Sequence, residues 1–225
     1  MHYLKFLASL HEILRPRVYF EIGIRKGASF TLSSARSIGV DLGYDIQFPL
    51  PPDHVLFRQK SDDFFAGPQM EQALGGARVD LAFIDGWHNF EFALRDFLNL
   101  ERYCHPSSVV VFDDVRPRNE DEAVRNPHGR AWTGDVWKVA PCLEKYRPDL
   151  RITYVGTIPT GLLMIERLDP ASRVLGEAYG AIEAEYLAAD HPLMPPQEMR
   201  DRFVKPALTL AALTARTRAQ AETDQ

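Results

Sequence analysis

Apolar and polar positions change period repeatedly along the 225-residue chain, and the changes mark out its elements. Leu4, Leu7, Leu10 and Leu14 recur at helical spacing with Lys5, His11 and Glu12 between them. That spacing predicts an amphipathic packing helix rather than a signal peptide. After Pro16, residues 18–22 (Val-Tyr-Phe-Glu-Ile) form a β-branched and aromatic run that stops at Gly23. Residues 28–36 are compatible with helix, 37–41 and 54–59 with two further strands, and 62–74 with a helix closed by Gly75-Gly76. Residues 79–84 read as a buried strand that delivers Asp85 and Gly86, and Phe90, Ala93, Leu94, Phe97 and Leu98 then return at helical spacing. Residues 109–112 (Val-Val-Val-Phe) are the most continuous apolar strand, suited to the middle of a parallel sheet, and they end on Asp113-Asp114.

A polar segment at 116–133, containing Pro117, Pro127 and Gly129, interrupts this rhythm and reads as a mobile loop in which His128 is solvated. A helix is expected over 135–146. Strands at 151–155 and 162–167 are joined by so short a connection that an antiparallel hairpin follows. Beyond Pro170 the chain is alanine-rich and helical, broken at His191-Pro192 and Pro195-Pro196. The pattern predicts an α/β fold: a seven-stranded, mostly parallel sheet closed by an antiparallel edge hairpin. Residues 1–170 make the main domain, and 171–225 a helical extension that belongs to it or contacts a second copy.

Composition narrows the field. A hydrophobic share of 45% with 25% charged residues describes an ordinary globular chain, neither disordered nor disulfide-built. The net charge of −5 and the lack of a long basic block give no reason to expect nucleic acid or an anionic membrane as partner. No apolar run approaches the roughly 20 residues of a membrane span, and a cytoplasmic location is expected. Cys104 and Cys142 form no C-x-x-C pair and read as small packing residues.

Ligands of open parallel sheets bind beyond the carboxyl ends of the strands. Here those ends carry Glu21, Asp41, Ser61-Asp62, Asp85 and Asp113-Asp114, an acid at each of five consecutive strands. The first turn, Glu21-Ile22-Gly23-Ile24-Arg25-Lys26-Gly27-Ala28-Ser29, has its glycines four apart and is not a G-x-G-x-x-G. Gly23 and Gly27 allow a tight turn and close approach to a ligand. An acid at position 21 would repel a pyrophosphate and suits a cationic ligand such as an amino-acid ammonium group. Asp41, 18 residues past Gly23, is near the spacing at which an acid reads ribose hydroxyls.

These residues resemble the first motif, acid-x-Gly-x-x-x-Gly, of the class I S-adenosylmethionine-dependent methyltransferases, and the likeness covers about residues 18–170. The resemblance implies a Rossmann-like sheet in which Glu21, Gly23, Gly27 and Ser29 cradle the methionine part of S-adenosyl-L-methionine. It further implies that Asp41 holds the ribose and that Ser61 and Asp62 lie near the adenine, with Asp85 at the cofactor's edge. The segments Phe83-Ile84-Asp85-Gly86-Trp87-His88 and Val111-Phe112-Asp113-Asp114-Val115 are similar to metal-dependent small-molecule O-methyltransferases. Those include the catechol type and the type acting on macrolide sugars and cephalosporin-like intermediates; Gly134-Asp135-Val136-Trp137-Lys138 and Pro159-Thr160-Gly161 resemble the latter.

That narrower likeness implies a divalent cation on Asp85, Asp113 and Asp114. Converging carboxylates without a cation would repel one another and raise their own pKa values, which a hard cation such as Mg²⁺ relieves. His88, three residues past Asp85, is placed to take a hydroxyl proton. Lys138 is the second candidate base, because catechol-type enzymes use a lysine. Of the aromatic residues Trp87, Phe90, Trp132 and Trp137, which could wall a pocket, those at helical spacing fit a core, and Trp87 and Trp132 alone are kept as candidate walls.

The expected activity is methyl transfer from S-adenosylmethionine to the hydroxyl of a small molecule, a sugar, glycoside or phenol, in a chain whose two ends offer contacts to a homo-oligomer. A NAD-dependent oxidoreductase and a methyltransferase-like binding module without catalysis are the rivals.

Overall fold

The structure, a computed structural model, describes residues 1–127, 129 and 131–223, so His128 lies outside the described residues. Helix α1 (Tyr3–Leu14) precedes strands β1 (Val18–Ile22), β2 (Arg36–Val40) and β3 (His54–Phe57). Helices α2 (Ser61–Ala66) and α3 (Gln69–Leu74) lead to β4 (Val79–Ile84), α4 (Phe90–Glu101) and β5 (Cys104–Phe112). Then come α5 (Glu120–Ala123), α6 (Val139–Tyr146), β6 (Arg151–Val155), β7 (Leu162–Glu166), α7 (Val174–Tyr186), α8 (Gln197–Arg200) and α9 (Pro206–Thr223). No helix among the described residues is long and apolar enough to cross a membrane.

The strands form one sheet in the order β3-β2-β1-β4-β5-β7-β6. All pairings are parallel except those of β7, which runs against both β5 and β6. The expected hairpin is therefore present, but its second strand is not at the edge. β7 is buried at every position and slots inside, while β6 lies outermost with Arg151 exposed. The sequence accounts for the exchange: Leu162-Leu163-Met164-Ile165 is apolar on both faces, as an interior strand requires, whereas Arg151-Ile152-Thr153-Tyr154 alternates.

Period-two alternation divides the side chains between two cores. Phe20, Ile22, Ala82, Ile84, Val110 and Phe112 face α2, α4 and α6 through Phe64, Phe97 and Leu143. Tyr19, Leu81, Phe83, Val109 and Val111 face the other way, onto Phe6, Leu7 and Leu10 of α1 and Leu213 of α9. Each fully buried Phe or Leu contributes about 1.5–3 kcal/mol. The extension beyond residue 170 shares these cores, since Leu175, Ile182 and Tyr186 of α7 join the first and Leu213 the second.

Two helices differ from expectation. Residues 28–36 hold one 3-10 turn, Phe30–Leu32, before β2 begins. Thr31 Oγ1 donates to the Gly27 carbonyl (2.8 Å) and Ser33 Oγ accepts from Ala35 N (3.1 Å), side-chain bonds that compete with a helical ladder. The sheet face such a helix would share is covered by α1 and α9 instead. The 62–74 helix is two helices, parted at Gly67-Pro68, where proline lacks the N–H to continue.

Candidate active site

The strand order reverses between β1 and β4, and a cavity of about 860 Å³ opens beyond the carboxyl ends of the strands there. Its wall includes Gly23, Asp41, Ser61, Asp62, Asp85, His88, Asp113 and Asp114, so the acidic strand ends share one hollow. Gly23 makes the junction possible. Its φ is +88°, and a Cβ there would lie 1.8 Å from the Asp85 carbonyl oxygen. Glycine alone lets β1 end against β4, where Asp85 N donates to Ile22 O (2.9 Å). Gly27 (φ +85°) shapes the turn behind this junction and does not line the cavity.

Asp41 accepts from the backbone N–H groups of Arg25 and Gly43, both at 2.7 Å, which fixes its carboxylate at the rim. Asp62 lines the wall but is held in a bidentate pair by Arg95. Ser61 hydrogen-bonds Asp96, a buried acid with one unpartnered oxygen that sits beneath Gly86; burial pushes its pKa up to about 7. Ile22, Val40, Leu42 and Phe92 supply apolar wall on this side.

Glu21 is not placed as expected. Alternation along β1 turns it to the side of Tyr19, into the core beneath α1, where it is fully buried. The Tyr19 hydroxyl and Ser29 Oγ each donate to it at 2.5 Å, so Glu21 and Ser29 bind each other under the turn rather than lining the cavity. Burial outweighs the two hydrogen bonds and the Glu21 pKa rises from 4.5 to about 8. A folded pKa above the unfolded one means that the native state holds the extra proton between those values. Stability is then full below about pH 4.5 and declines as pH rises towards 8, by roughly 5 kcal/mol at most. Glu21→Gln is expected to remove that slope, so that urea unfolding midpoints of variant and wild type diverge steadily from pH 5 to pH 8, with the variant more stable at the alkaline end. Parallel pH profiles would rule this out.

At the other end of the cavity stand the acids of β4 and β5. Asp85 Oδ1 lies 3.3 Å from His88 Nε2, and Asp114 Oδ2 3.1 Å from His88 Nδ1. One donor atom from each of Asp85, His88 and Asp114 falls within 4.8 Å of the others. Nδ1 also lies 2.7 Å from the Trp132 carbonyl; a carbonyl only accepts, so Nδ1 carries hydrogen and Nε2 faces the acid. Asp114 reaches the cluster through a left-handed backbone, φ +60°, a conformation that aspartate tolerates better than most residues. Asp113 stands a step back: its Oδ1 accepts from Asp114 N (2.7 Å) and Thr160 Oγ1 (3.2 Å).

The electrostatics are those of crowded acids. Burial, then the charges of Asp85 and Asp114, hold the Asp113 carboxyl well above the usual range. Burial lifts Asp114 to about 6 against the pull of His88. Burial works to lower the His88 pKa, but the hydrogen bond to Asp85 and the charges of Asp114 and Asp85 outweigh it and raise it to about 9.

Lys138 does not reach this site. It is buried with Nζ on Asp135 (3.0 Å) and the Tyr186 carbonyl (2.8 Å), a structural tie between α6 and α7. Trp137 and Phe90 are likewise core residues, whereas Trp87 and Trp132 line the cavity, edge to face at 5.2 Å. The 116–133 segment is tied down within its described part: Thr133 and Gly134 donate to the Glu122 carbonyl (2.9 and 3.0 Å), and Trp132 Nε1 to the Val124 carbonyl (2.5 Å). Arg118 and Glu122, an ion pair on α5 and its approach, also line the cavity. Sequence reasoning missed Glu122, and it missed Tyr3, which enters the wall from α1; periodicity marks Tyr3 as one turn before the buried Leu7 but cannot place it over another strand's end.

The sheet order with a single reversed strand defines the class I methyltransferase fold. Residues 47–115, from before β3 through the acids after β5, match the family model described as a methyltransferase domain. The fold of the chain is similar to the O-methyltransferase from Bacillus cereus in complex with SAH, at 17% identity and a TM-score of 0.53 over 72% of this chain and 79% of that one. It is also similar to the O-methyltransferase TomG from Streptomyces achromogenes, involved in tomaymycin synthesis and in complex with SAM, at 18% identity and a TM-score of 0.53 over 74% and 80% of the two chains. No protein of curated function matches the sequence.

Proposed function

We propose that this chain transfers a methyl group from S-adenosylmethionine to a hydroxyl of a small molecule, a sugar, glycoside or phenol, with a divalent cation assisting. The observation that carries this reading is the shared hollow. Its Gly23–Asp41 half offers a close backbone approach and a fixed carboxylate, and its Asp85–His88–Asp114 half offers three converging donor atoms. Bound S-adenosylmethionine supplies an electrophilic methyl on a sulfonium sulfur, and a bound cation supplies positive charge that eases ionisation of a hydroxyl.

The residues present fit both groups. Asp41, with each oxygen already accepting one backbone N–H, keeps lone pairs for ribose hydroxyls. Ile22, Val40, Leu42 and Phe92 suit a purine, with Ser61 and Gln59 at its edge. Asp85 and Asp114 are hard oxygen donors for Mg²⁺, and Asp113, tethered by Thr160, supports them from behind. Trp87, more than half exposed, and Trp132 offer ring faces on which a pyranose or a phenol stacks.

His88 is the proton acceptor in this reading: Asp85 and Asp114, which raise its pKa to about 9, would be neutralised by a bound cation, and the imidazole would then be free to take a proton. Its Nδ1 is fixed on the Trp132 carbonyl, so Nε2 is the position at which a proton enters and leaves. The 4.8 Å grouping favours a second role, with Nε2 as a cation ligand. His88→Ala separates the two. As a base, its loss leaves Mg²⁺ affinity within about threefold of wild type and lowers turnover by 10²–10⁴-fold; as a ligand, its loss removes cation affinity as well. The reading as a whole is tested by calorimetric titration with S-adenosylmethionine, S-adenosylhomocysteine and NAD, followed by methyl transfer to a panel of glycosides and catechols with and without Mg²⁺. Binding of NAD in place of the two sulfur nucleosides would end it.

A further inference from the structure

Helix α4, which begins two residues after His88, is not capped by its own sequence. Asn89 stands at the N-cap position, where such a side chain ordinarily accepts from the first turn. Its Nδ2 instead donates to the Arg125 carbonyl (3.0 Å), and among the described residues it makes no cap bond. The cap is supplied from a distant part of the chain: Asp135 Oδ1 accepts from Phe90 N at 2.8 Å, a donor that the helix leaves unpaired. Asp135 is buried, and its other oxygen is shared by two cations, Arg125 Nη1 at 2.5 Å and Lys138 Nζ at 3.0 Å. Arg125 reaches on with Nη2 to Glu91 Oε1 (2.6 Å) in the first turn of α4. One carboxylate thus joins the start of α4 to the turn before α6 and to the segment that follows β5.

The same stretch grips His88 twice. Asp135 N donates to the His88 carbonyl (3.1 Å). His88 Nδ1 donates to the Trp132 carbonyl (2.7 Å), with the two rings stacked at 5.0 Å and 25°. Between these contacts lies Gly134, φ +55°, so close that a Cβ would sit 1.7 Å from the His88 carbonyl oxygen. Main chain and ring of His88 are therefore both referred to residues 132–135. A carbonyl can orient a ring only as firmly as its own backbone is held, and here the hold is Asp135.

We propose that Asp135 is a positioning residue for His88: it pins residues 132–135 against the start of α4 and so fixes the direction in which His88 Nε2 faces the cavity. The role rests on the reading of His88 as proton acceptor or cation ligand. With backbone carbonyl and Nδ1 both held, the ring keeps Nε2 towards Asp85, 3.3 Å away. If the stretch is released, the ring follows the Trp132 carbonyl, and a displacement of about 1 Å is enough to cost on the order of 100-fold in rate.

The test uses the full chain and Asp135→Asn, which keeps an oxygen for Phe90 N and removes the charge that holds Arg125 and Lys138. Nuclear magnetic resonance reads the His88 ring through its Overhauser contacts with the Trp132 ring and through protection of its Nδ1–H from exchange. Both are expected to be lost in the variant. The His105 ring, held by Asp80 and Ser107 at 2.8 Å each, is the control and should keep its signals. Calorimetric affinity for S-adenosylmethionine should stay within about threefold of wild type, while kcat falls about 10- to 100-fold. Arg125→Met, at a side chain 38% exposed, leaves Asp135 paired with Lys138 and is expected to loosen the same contacts; it gives the readout should the asparagine variant fold poorly. An unchanged His88 ring in the folded variants would leave Asp135 an ion-pair partner of the core and overturn the assignment. Loss of the His88 and His105 signals together, or loss of S-adenosylmethionine affinity along with turnover, would make it a general support and overturn it too. Wild type that binds no S-adenosylmethionine would instead overturn the methyltransferase reading, and the His88 ring would then decide the positioning role alone.

Discussion

Asp85→Asn is expected to lower Mg²⁺ affinity by at least about 100-fold and to lower methyl transfer with it, while leaving S-adenosylmethionine binding near wild type. Groups one step removed from a metal ligand already cost about 10–100-fold when lost, and in the proposed site Asp85 is a ligand itself. The substitution keeps the shape and removes one negative charge from the point where the acids converge. Because Asp85 contributes a hydrogen bond and a charge that hold the His88 pKa up, and a charge that holds the Asp113 pKa up, both should fall in the variant. NMR titration of the His88 ring reads the first of these directly. A His88 pKa that stays near 9, together with intact cation affinity, would show that the cluster is wrongly assigned. The Gly23–Asp41 half of the cavity is insulated from the change, since Asp41 takes its hydrogen bonds from Arg25 and Gly43.

Gly23→Ala should be among the most damaging small substitutions in the chain. The added methyl would sit 1.8 Å from the Asp85 carbonyl oxygen and 2.4 Å from its carbon, both backbone atoms that cannot swing away. The ends of β1 and β4 must part, breaking the Asp85 N to Ile22 O bond and straining a left-handed φ. A loss of roughly 3–5 kcal/mol is expected, about 10 °C in Tm for a domain of this size, with S-adenosylmethionine binding lost where the protein still folds. Gly27→Ala provides the scale. Its φ is equally left-handed, but the methyl would meet the mobile Ile46 side chain at 3.1 Å, so about 1–2 kcal/mol of backbone strain is all that remains. Gly43→Ala meets nothing within 4 Å and should be neutral. Thermal melts of the three variants order the sites; a Gly23→Ala protein as stable as Gly43→Ala would refute the close approach.

Residues 79–84 and 151–155 are legible in the sequence to the residue, because their periods and their flanking turns agree. The acids after β4 and β5 are legible for the same reason: a strand that stops on an acid carries it to the carboxyl end of the sheet, and a parallel sheet gathers those ends. What fails is whatever depends on distant parts of the chain. Nothing local in residues 28–36 tells that α1 and α9 will occupy the sheet face and leave only a 3-10 turn there. Glu21 matches its motif by type and position, yet alternation from Tyr19 turns it into a core, a constraint that the motif does not express. Lys138 follows a family likeness to a position that the 3-10 turn at Val136–Lys138 and the Tyr186 carbonyl divert into the interior. Tyr3 carries no signal of its own, because its neighbours come from Ile158 and Phe83.

The second core draws Phe6, Leu7 and Leu10 from one end of the sequence and Leu213 from the other. As the chain is synthesised, every strand of the sheet emerges before α9 does. From Glu166 to Leu213, ribosomes moving at about 5–20 residues per second need roughly two to ten seconds. For that interval part of the apolar face carrying Leu81, Phe83, Val109 and Val111 stays uncovered, a natural landing place for chaperones and a hazard for nascent chains crowded on one message.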